Sequence, residues 1–329
     1  MKTRRRPAGA TSFVALCVGS LAACNSGAGG DAETLGVITD GPEVCEAPVF
    51  LATLPDKLFE ASGIVRDPRR HDLFWVHNDS GNDAEIYGID HSGRVVAVVP
   101  FAGASNRDPE DIAIGPCPEG DCLYLADIGD NLEVHASIMI HRFPLPDLPA
   151  SSAIGSIEGS PIEPNASWRL VYEDGPRDSE ALAVDAERSE LLVISKGRND
   201  GIVLYAIALA DLHDQLAETD TLRRVGRLHL PIGTNSSQFV TAADLSPDAS
   251  TLAVRSYTTL YLFAWEGSAA FDTATVPGWA SLISAREAQG EGLSWDVAGN
   301  NVLLVSEGRG STRSSLSRMR CPAWELWTD

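Results

Sequence analysis

The carboxylates of this chain recur in a phrase repeated five times: Glu60-Ala-Ser-Gly-Ile-Val, Glu110-Asp-Ile-Ala-Ile-Gly, Glu180-Ala-Leu-Ala-Val-Asp, Ala243-Asp-Leu-Ser-Pro-Asp and Glu291-Gly-Leu-Ser-Trp-Asp. Side chains repeated in this way meet when the units carrying them are arranged about a common axis. Carboxylates gathered there repel one another unless a cation, a proton or a basic side chain offsets them. Hard oxygen donors without clustered imidazoles or thiolates favour Ca²⁺ over a transition metal. The candidate ligands are Glu60, Glu110, Asp111, Asp127, Asp130, Glu180, Asp244, Glu291 and Glu307. Such an ion orients an anionic substrate and polarises a phosphoryl or carbonyl oxygen. Lys196 and Arg255 are candidates to hold the anion, and His77 near Asp79 is a candidate base. The alternatives are that the carboxylates cap strands, bond to turn amides or hold a structural ion, and that His77 is simply solvated in a polar turn.

The elements that must position these groups are short strands. Each phrase is followed by a polar turn and then by an apolar run: Leu73-Phe-Trp-Val, Leu123-Tyr-Leu-Ala, Leu191-Leu-Val-Ile, Leu252-Ala-Val-Arg and Val302-Leu-Leu-Val. A third run follows in every unit and a fourth in most, which predicts an all-β chain folded as a β-propeller. Five blades are expected, with a degenerate sixth inside the long second unit as the alternative count. In a blade the first strand starts, and the second ends, on the same rim, which brings the candidate residues together. The first unit reads as strands over Ala61–Val65, Leu73–His77, Glu85–Ile89 and Val95–Phe101. The second has strands over Cys122–Ile128, Ile138–Phe143 and Trp168–Tyr172, with a Pro/Ser/Gly connection over Leu145–Asn165 as the expected mobile insertion. The third adds Gly201–Ile207, a short helix near Ala208–Ala217 and Arg224–Leu230. The fourth adds Leu260–Trp265, its outer strand being indistinct. The fifth ends at Leu316–Cys321 and lacks a strand, while Ala47–Leu54 is left over at the other end, so the two termini are expected to complete one blade and hide its edges.

Familiar local chemistry is missing. There is no Gly-x-Ser-x-Gly elbow, no His-Glu-x-x-His and no phosphate loop, so nothing local supports a serine hydrolase, a zincin or a nucleotide-dependent transferase. The most distinctive short pattern is Asp127-Ile-Gly-Asp130-Asn131, where a glycine lets the backbone turn while three side chains present oxygen atoms.

On His77-Asn78-Asp79-Ser80-Gly81, Asp108-Pro-Glu-Asp-Ile-Ala, Asp127-Ile-Gly-Asp130-Asn131, Val240-Thr-Ala-Ala-Asp-Leu-Ser-Pro-Asp and Ser306-Glu-Gly, nearly the whole body resembles a family of uncharacterised secreted bacterial propellers. More loosely, the Glu-Gly/Ala-Leu/Ile phrase is similar to SdiA-regulated propellers and to esterase-like, phytase-like propeller domains. That resemblance implies a calcium-bearing rim and hydrolysis of phosphoesters or esters. The chain departs from the phytase-like pattern in lacking a dense set of basic phosphate ligands, and Ala243 stands where the other phrases have Glu.

The address is written at the amino end. Lys2, Arg4, Arg5 and Arg6 precede an apolar stretch from Phe13 to Ala23 that is too short to span a bilayer. Leu21-Ala22-Ala23-Cys24 resembles the lipobox of bacterial lipoproteins, so residues 1–23 read as a signal peptide, Cys24 as the lipid-bearing first residue and 24–44 as a flexible tether to a single domain over 45–329. The formal charge of −21 becomes −25 without the four signal cations, a surface that repels nucleic acid. Of the remaining cysteines, Cys117 with Cys122 and Cys45 with Cys321 is the favoured pairing in an oxidising compartment. The expectation is a monomeric, lipid-anchored protein of the cell envelope: a calcium-dependent hydrolase of phosphate esters or related anionic substrates, or else a non-catalytic module binding an envelope protein or glycan.

Overall fold

Apolar runs separated by turns containing Gly, Asn and Asp dictate short antiparallel strands. A computed structural model describes residues 43–148, 157–213, 217–230 and 235–322. The signal segment, Cys24 and the tether through residue 42 lie outside the described residues.

Strand β1 (Val49–Thr53) precedes four successive strands, β2 (Ala61–Arg66), β3 (Phe74–Asn78), β4 (Glu85–Ile89) and β5 (Val95–Pro100). Then come β6 (Pro109–Cys117), β7 (Gly120–Asp127), β8 (Ile138–Pro144), the two-residue β9 (Ile157–Glu158) and β10 (Ala166–Tyr172). A third run holds β11 (Ser179–Asp185), β12 (Glu190–Ser195), β13 (Val203–Ala208) and β14 (Asp220–Arg227). The fourth holds β15 (Val240–Leu245), β16 (Thr251–Ser256), β17 (Thr259–Ala264) and β18 (Gly278–Ser281), and the fifth β19 (Gln289–Trp295), β20 (Asn301–Glu307) and β21 (Ser315–Arg320).

Pairing gathers the described strands into five antiparallel sets of four, in which β6, β7, β8 and β10 form the second and β19, β20, β21 and β1 the fifth. Parallel pairing of β10 with β14 joins the outer edges of the second and third sets, and β9 adds in parallel to β5. The first strands lie side by side in a closed cycle, β2 to β6 to β11 to β15 to β19 and back to β2. This is a β-propeller. Five apolar clusters fill the junctions between successive sets. The alternation of side chains on each strand explains them, because the middle strands are buried on both faces. An Asp at or just after the end of the first strand caps the turn to the second: Asp67, Asp185 and Asp296 accept backbone N–H groups from Arg69, Arg188 and Asn300.

The fifth set is closed from both ends of the domain, since β1 pairs with β21, Val49 opposite Arg318. Beside it, the Cys45–Cys321 disulfide spans 276 residues of sequence. Cys117–Cys122 staples the β6–β7 hairpin. Both bridges are those expected, and they fit an oxidising compartment outside the cytoplasm. No helix among the described residues is long and apolar enough to cross a membrane.

Several boundaries differ from the sequence reading. The outer strand of the third set is Asp220–Arg227, and the helix expected near Ala208–Ala217 is only the single 3₁₀ turn Leu209–Asp211 among the described residues. The indistinct outer strand of the fourth set is Gly278–Ser281. Glu43 and Val44, assigned to the tether, already bond alongside Trp279. In the long connection, residues 149–156 lie outside the described residues. Its described remainder supplies β9 and the Phe101–Ile162 bridge, both of which lie against the first set.

Candidate functional site

In every set the pairing of first and second strands is broken near the start of the first strand by a bulge. The last paired residues before it are Ala61, Pro109, Ser179, Val240 and Gly290, opposite Asn78, Asp127, Ser195, Ser256 and Ser306. The residues re-aimed by the bulge are therefore Ser62, Glu110, Glu180, Thr241 and Glu291. This register corrects the alignment of the repeated phrase. Glu60 lies one residue before the paired position, equivalent to Asp108, Asp178, Phe239 and Gln289, and Thr241 rather than Ala243 takes the place of the glutamates. The hydroxyls make their own use of that place: Ser62 Oγ donates to the Glu110 carbonyl at 2.7 Å and Thr241 Oγ1 to the Glu291 carbonyl at 2.9 Å. After the paired residue of the second strand come Asp79, Lys196, Tyr257 and Glu307 in the first, third, fourth and fifth sets.

Apart from Asp178, Phe239 and Thr241, these positions, with contributions from all five sets, line a cavity of about 270 Å³ on the propeller axis. Glu60, Asp79, Asp108, Glu110, Glu180, Glu291 and Glu307 face it together with Lys196 and Arg198. Both cations are already paired, Lys196 with Glu180 and Arg198 with Asp178. Burial, then the charges of Asp79 and Asp108, pushes Glu110 well above the usual carboxylate range. Asp79 is raised by burial and next by Asp108 and Glu60, against a hydrogen bond from Ser80 N. Burial lifts Glu291 to about 7 even though Gln289 Nε2 donates to its Oε1 at 2.7 Å. Glu307 also rises to about 7, through burial and then Asp79 and Glu60.

Asp79, Asp108 and Glu110 can each present one oxygen so that all three lie within 4.8 Å of one another. That spacing suits oxygens sharing a Ca²⁺ ion, whose bonds are about 2.3–2.6 Å long. Gly129, the glycine of Asp127-Ile-Gly-Asp130-Asn131, closes against the group: a β-carbon there would collide with Glu110 Oε1 and the Asp108 carboxylate. The donors present therefore fit a hard divalent cation.

Several sequence candidates lie elsewhere. Asp127 accepts the Asp108 N–H at 2.8 Å and so supports the acidic group without lining the cavity. Asp130 accepts from His135 N at 2.6 Å. Asp111 is fully buried and ties three sets together, accepting N–H groups from Ile112 and Leu182 at 2.9 Å and from Ala243 at 3.4 Å. Asp244 similarly accepts from Leu245 and, in the fifth set, Trp295. Arg255 is fully buried. Its guanidinium donates to the Gly292 and Val305 carbonyls and pairs with Glu287, so it holds no anion in the cavity. His77 is not a base beside Asp79: its Nε2 accepts the Gly63 N–H at 3.2 Å, leaving Nδ1–H to donate to the Asn78 carbonyl at 2.9 Å, and burial lowers it to about 4.

Asp108, Arg198, Tyr257 and Gln289 were not picked out from the sequence. The signal for all but Arg198 is positional, in the residue before each bulge and the residue after the second strand, and it becomes visible only once the pairing is known.

No protein-family model matches the chain, and no curated protein is similar to it in sequence. Solved structures are similar in fold. One is a gluconolactonase from Xanthomonas campestris, with 14% identity and a TM-score of 0.43 over 86% of this chain and 97% of that one. The resemblance to SdiA-regulated and phytase-like propellers remains one of short phrases.

Proposed function

We propose that this propeller is a divalent-cation-assisted hydrolase of phosphate esters or related anionic substrates, with its active site in the axial cavity and Ca²⁺ as the ion. The observation that carries this reading is the group of Asp79, Asp108 and Glu110, whose oxygens converge while the cavity's cations are engaged with other carboxylates. When bound there, the ion would supply charge neutralisation and polarisation of the scissile group. The chain's own residues would handle protons. Glu291, held by the Gln289 amide, is placed as the carboxylate that takes a proton from the attacking water. Glu307, beside Asp79 and Glu60, is placed as the carboxyl that gives one to the leaving oxygen as its ester bond breaks. Two carboxyl groups raised to about 7 suit this exchange near neutral pH. Lys196 holds Glu180 in place and, with Arg255 buried, is the remaining sequence-proposed contact for an anionic oxygen.

The test is turnover of 4-nitrophenyl phosphate and 4-nitrophenyl acetate by protein of known metal content, with Ca²⁺ and with chelator. Glu291→Gln is expected to lower kcat about 100-fold, since general-base groups typically contribute 10²–10⁴. Turnover that is unaffected by chelation and by this substitution would refute the reading. One observation favours the second reading, a non-catalytic envelope module: Leu132 and Val134 stand 79% and 66% exposed on the loop that follows Asn131 at the cavity. Tight capture of an envelope protein or glycan that survives chelation would support it. In either case the protein is proposed to be held at the membrane through lipid on Cys24, so Cys24→Ala should abolish palmitate labelling.

A further inference from the structure

A second cavity, of about 440 Å³, adjoins the axial one and shares Lys196, Arg198, Tyr257 and Gln289 with it. Its character is the opposite. In the fourth set both rim positions are aromatic, with Phe239 before the bulge, where the other sets have acidic or amide side chains, and Tyr257 after the second strand, where the first, third and fifth sets have Asp79, Lys196 and Glu307. The Arg198 guanidinium lies 5.5 Å from the Phe239 ring centre and Lys196 Nζ lies 5.9 Å from that of Tyr257. A third cation, Arg309, completes the wall and forms no ion pair among the described residues. The one carboxylate of the lining, Glu287, is paired with the buried Arg255. A chain of formal charge −21 thus gathers three cations and two aromatic rings in one recess beside the acidic axial cavity.

We propose that this recess is a specificity subsite for a planar, negatively charged organic group, of which a benzoate-like carboxylate is the simplest example. The inference rests on the hydrolase reading in one respect: it makes the recess the seat of the substrate's organic part while the scissile group lies over Asp79, Asp108 and Glu110. Ring faces accept a flat π-system edge-on or offset-stacked, and a saturated ring forfeits that contact. Arg309 supplies a planar donor pair to a carboxylate, which a neutral amide uses poorly. Lys196 and Arg198 stay paired with Glu180 and Asp178, so the carboxylate contact falls to Arg309.

The test is calorimetric binding of benzoate, cyclohexanecarboxylate and benzamide to the purified protein in excess chelator, so that no cation takes part. Benzoate is expected to bind at least tenfold more tightly than either of the others. Phe239→Leu should reduce the benzoate preference over cyclohexanecarboxylate to less than threefold, and Arg309→Gln should do the same for its preference over benzamide. Both variants should keep the wild-type melting temperature and its response to Ca²⁺. Equal binding of the three probes, or benzoate affinity unchanged in both variants, overturns the subsite. The two ideas fail separately: benzoate selectivity without any metal-dependent turnover would leave the subsite standing and remove the hydrolase, and turnover without selectivity would do the reverse.

Discussion

At the scale of single residues, the chemistry of a side chain here is decided by which neighbour occupies its hydrogen-bonding atoms. His77 looked like a base in the sequence because it stands two residues from Asp79, but both ring nitrogens are held by backbone, which fixes the neutral form. The stability consequence has a definite sign. A histidine at about 4 in the folded protein and 6.5 when unfolded adds stability that is fully present above pH 6.5 and is lost as pH falls through 4. By pH 5 the loss from this one group is about 2 kcal/mol. Asp244, raised to about 6 chiefly by burial, works in the opposite direction, contributing stability below its unfolded value that is lost as pH rises through 6. His77→Gln, whose amide can keep both backbone bonds, should therefore match the wild type closely at pH 7 and be relatively more stable at pH 5. Denaturant unfolding at the two pH values decides it, and an unchanged pH slope would show that His77 is not the source.

At the scale of elements, the strands were legible and the register was not. Apolar runs and Gly/Asn/Asp turns located nearly every strand, including β1 as the partner of the C-terminal one. The bulges left no such mark, because a one-residue insertion in pairing does not change the pattern of residue types around it. That is why the repeated phrase aligns Glu60 with Glu110, makes Ala243 the exception and does not single out Asp108 as a ligand. Arg255 was misjudged for a related reason: its place at a second-strand end gave no sign that carbonyls and Glu287 would bury it. The glycine of Asp127-Ile-Gly-Asp130-Asn131 now has a steric role, since any β-carbon on Gly129 displaces two of the proposed ligands. Gly129→Ala should leave the fold intact by circular dichroism while lowering Ca²⁺ affinity at least tenfold in calorimetry. The two disulfides should also differ. Closing a loop of 276 residues constrains the unfolded chain more than closing one of 5, by roughly 5.6 against roughly 2 kcal/mol on chain entropy alone. Paired Cys→Ser replacement at 45 and 321 should thus lower the melting temperature more than replacement at 117 and 122.

At the scale of the whole molecule, the ring turns scattered carboxylates into one concentrated charge, and a cation should repay that by stabilising the fold. Calcium at a hundred times its dissociation constant adds about 2.7 kcal/mol, worth a few degrees in a domain of this size. Thermal melts with Ca²⁺, with Mg²⁺ and with chelator measure this, and Asp108→Asn should remove most of the Ca²⁺ response. Superimposable curves for the wild type in all three would show that no ion is held.

The way the fifth set is closed also orders events in time. A chain delivered amino end first presents β1 at the start, but β21, the strand it must join, is the last of the propeller to emerge. The first, third and fourth sets draw their four antiparallel strands from contiguous sequence, and the second does so around β9, so these four can form beforehand, whereas β1 waits with its edge bare. Val49 and Phe50 remain 55% and 56% exposed even in the finished ring, so this interval, rather than any state of the mature protein, is when the chain is most open to mispairing with another copy of itself.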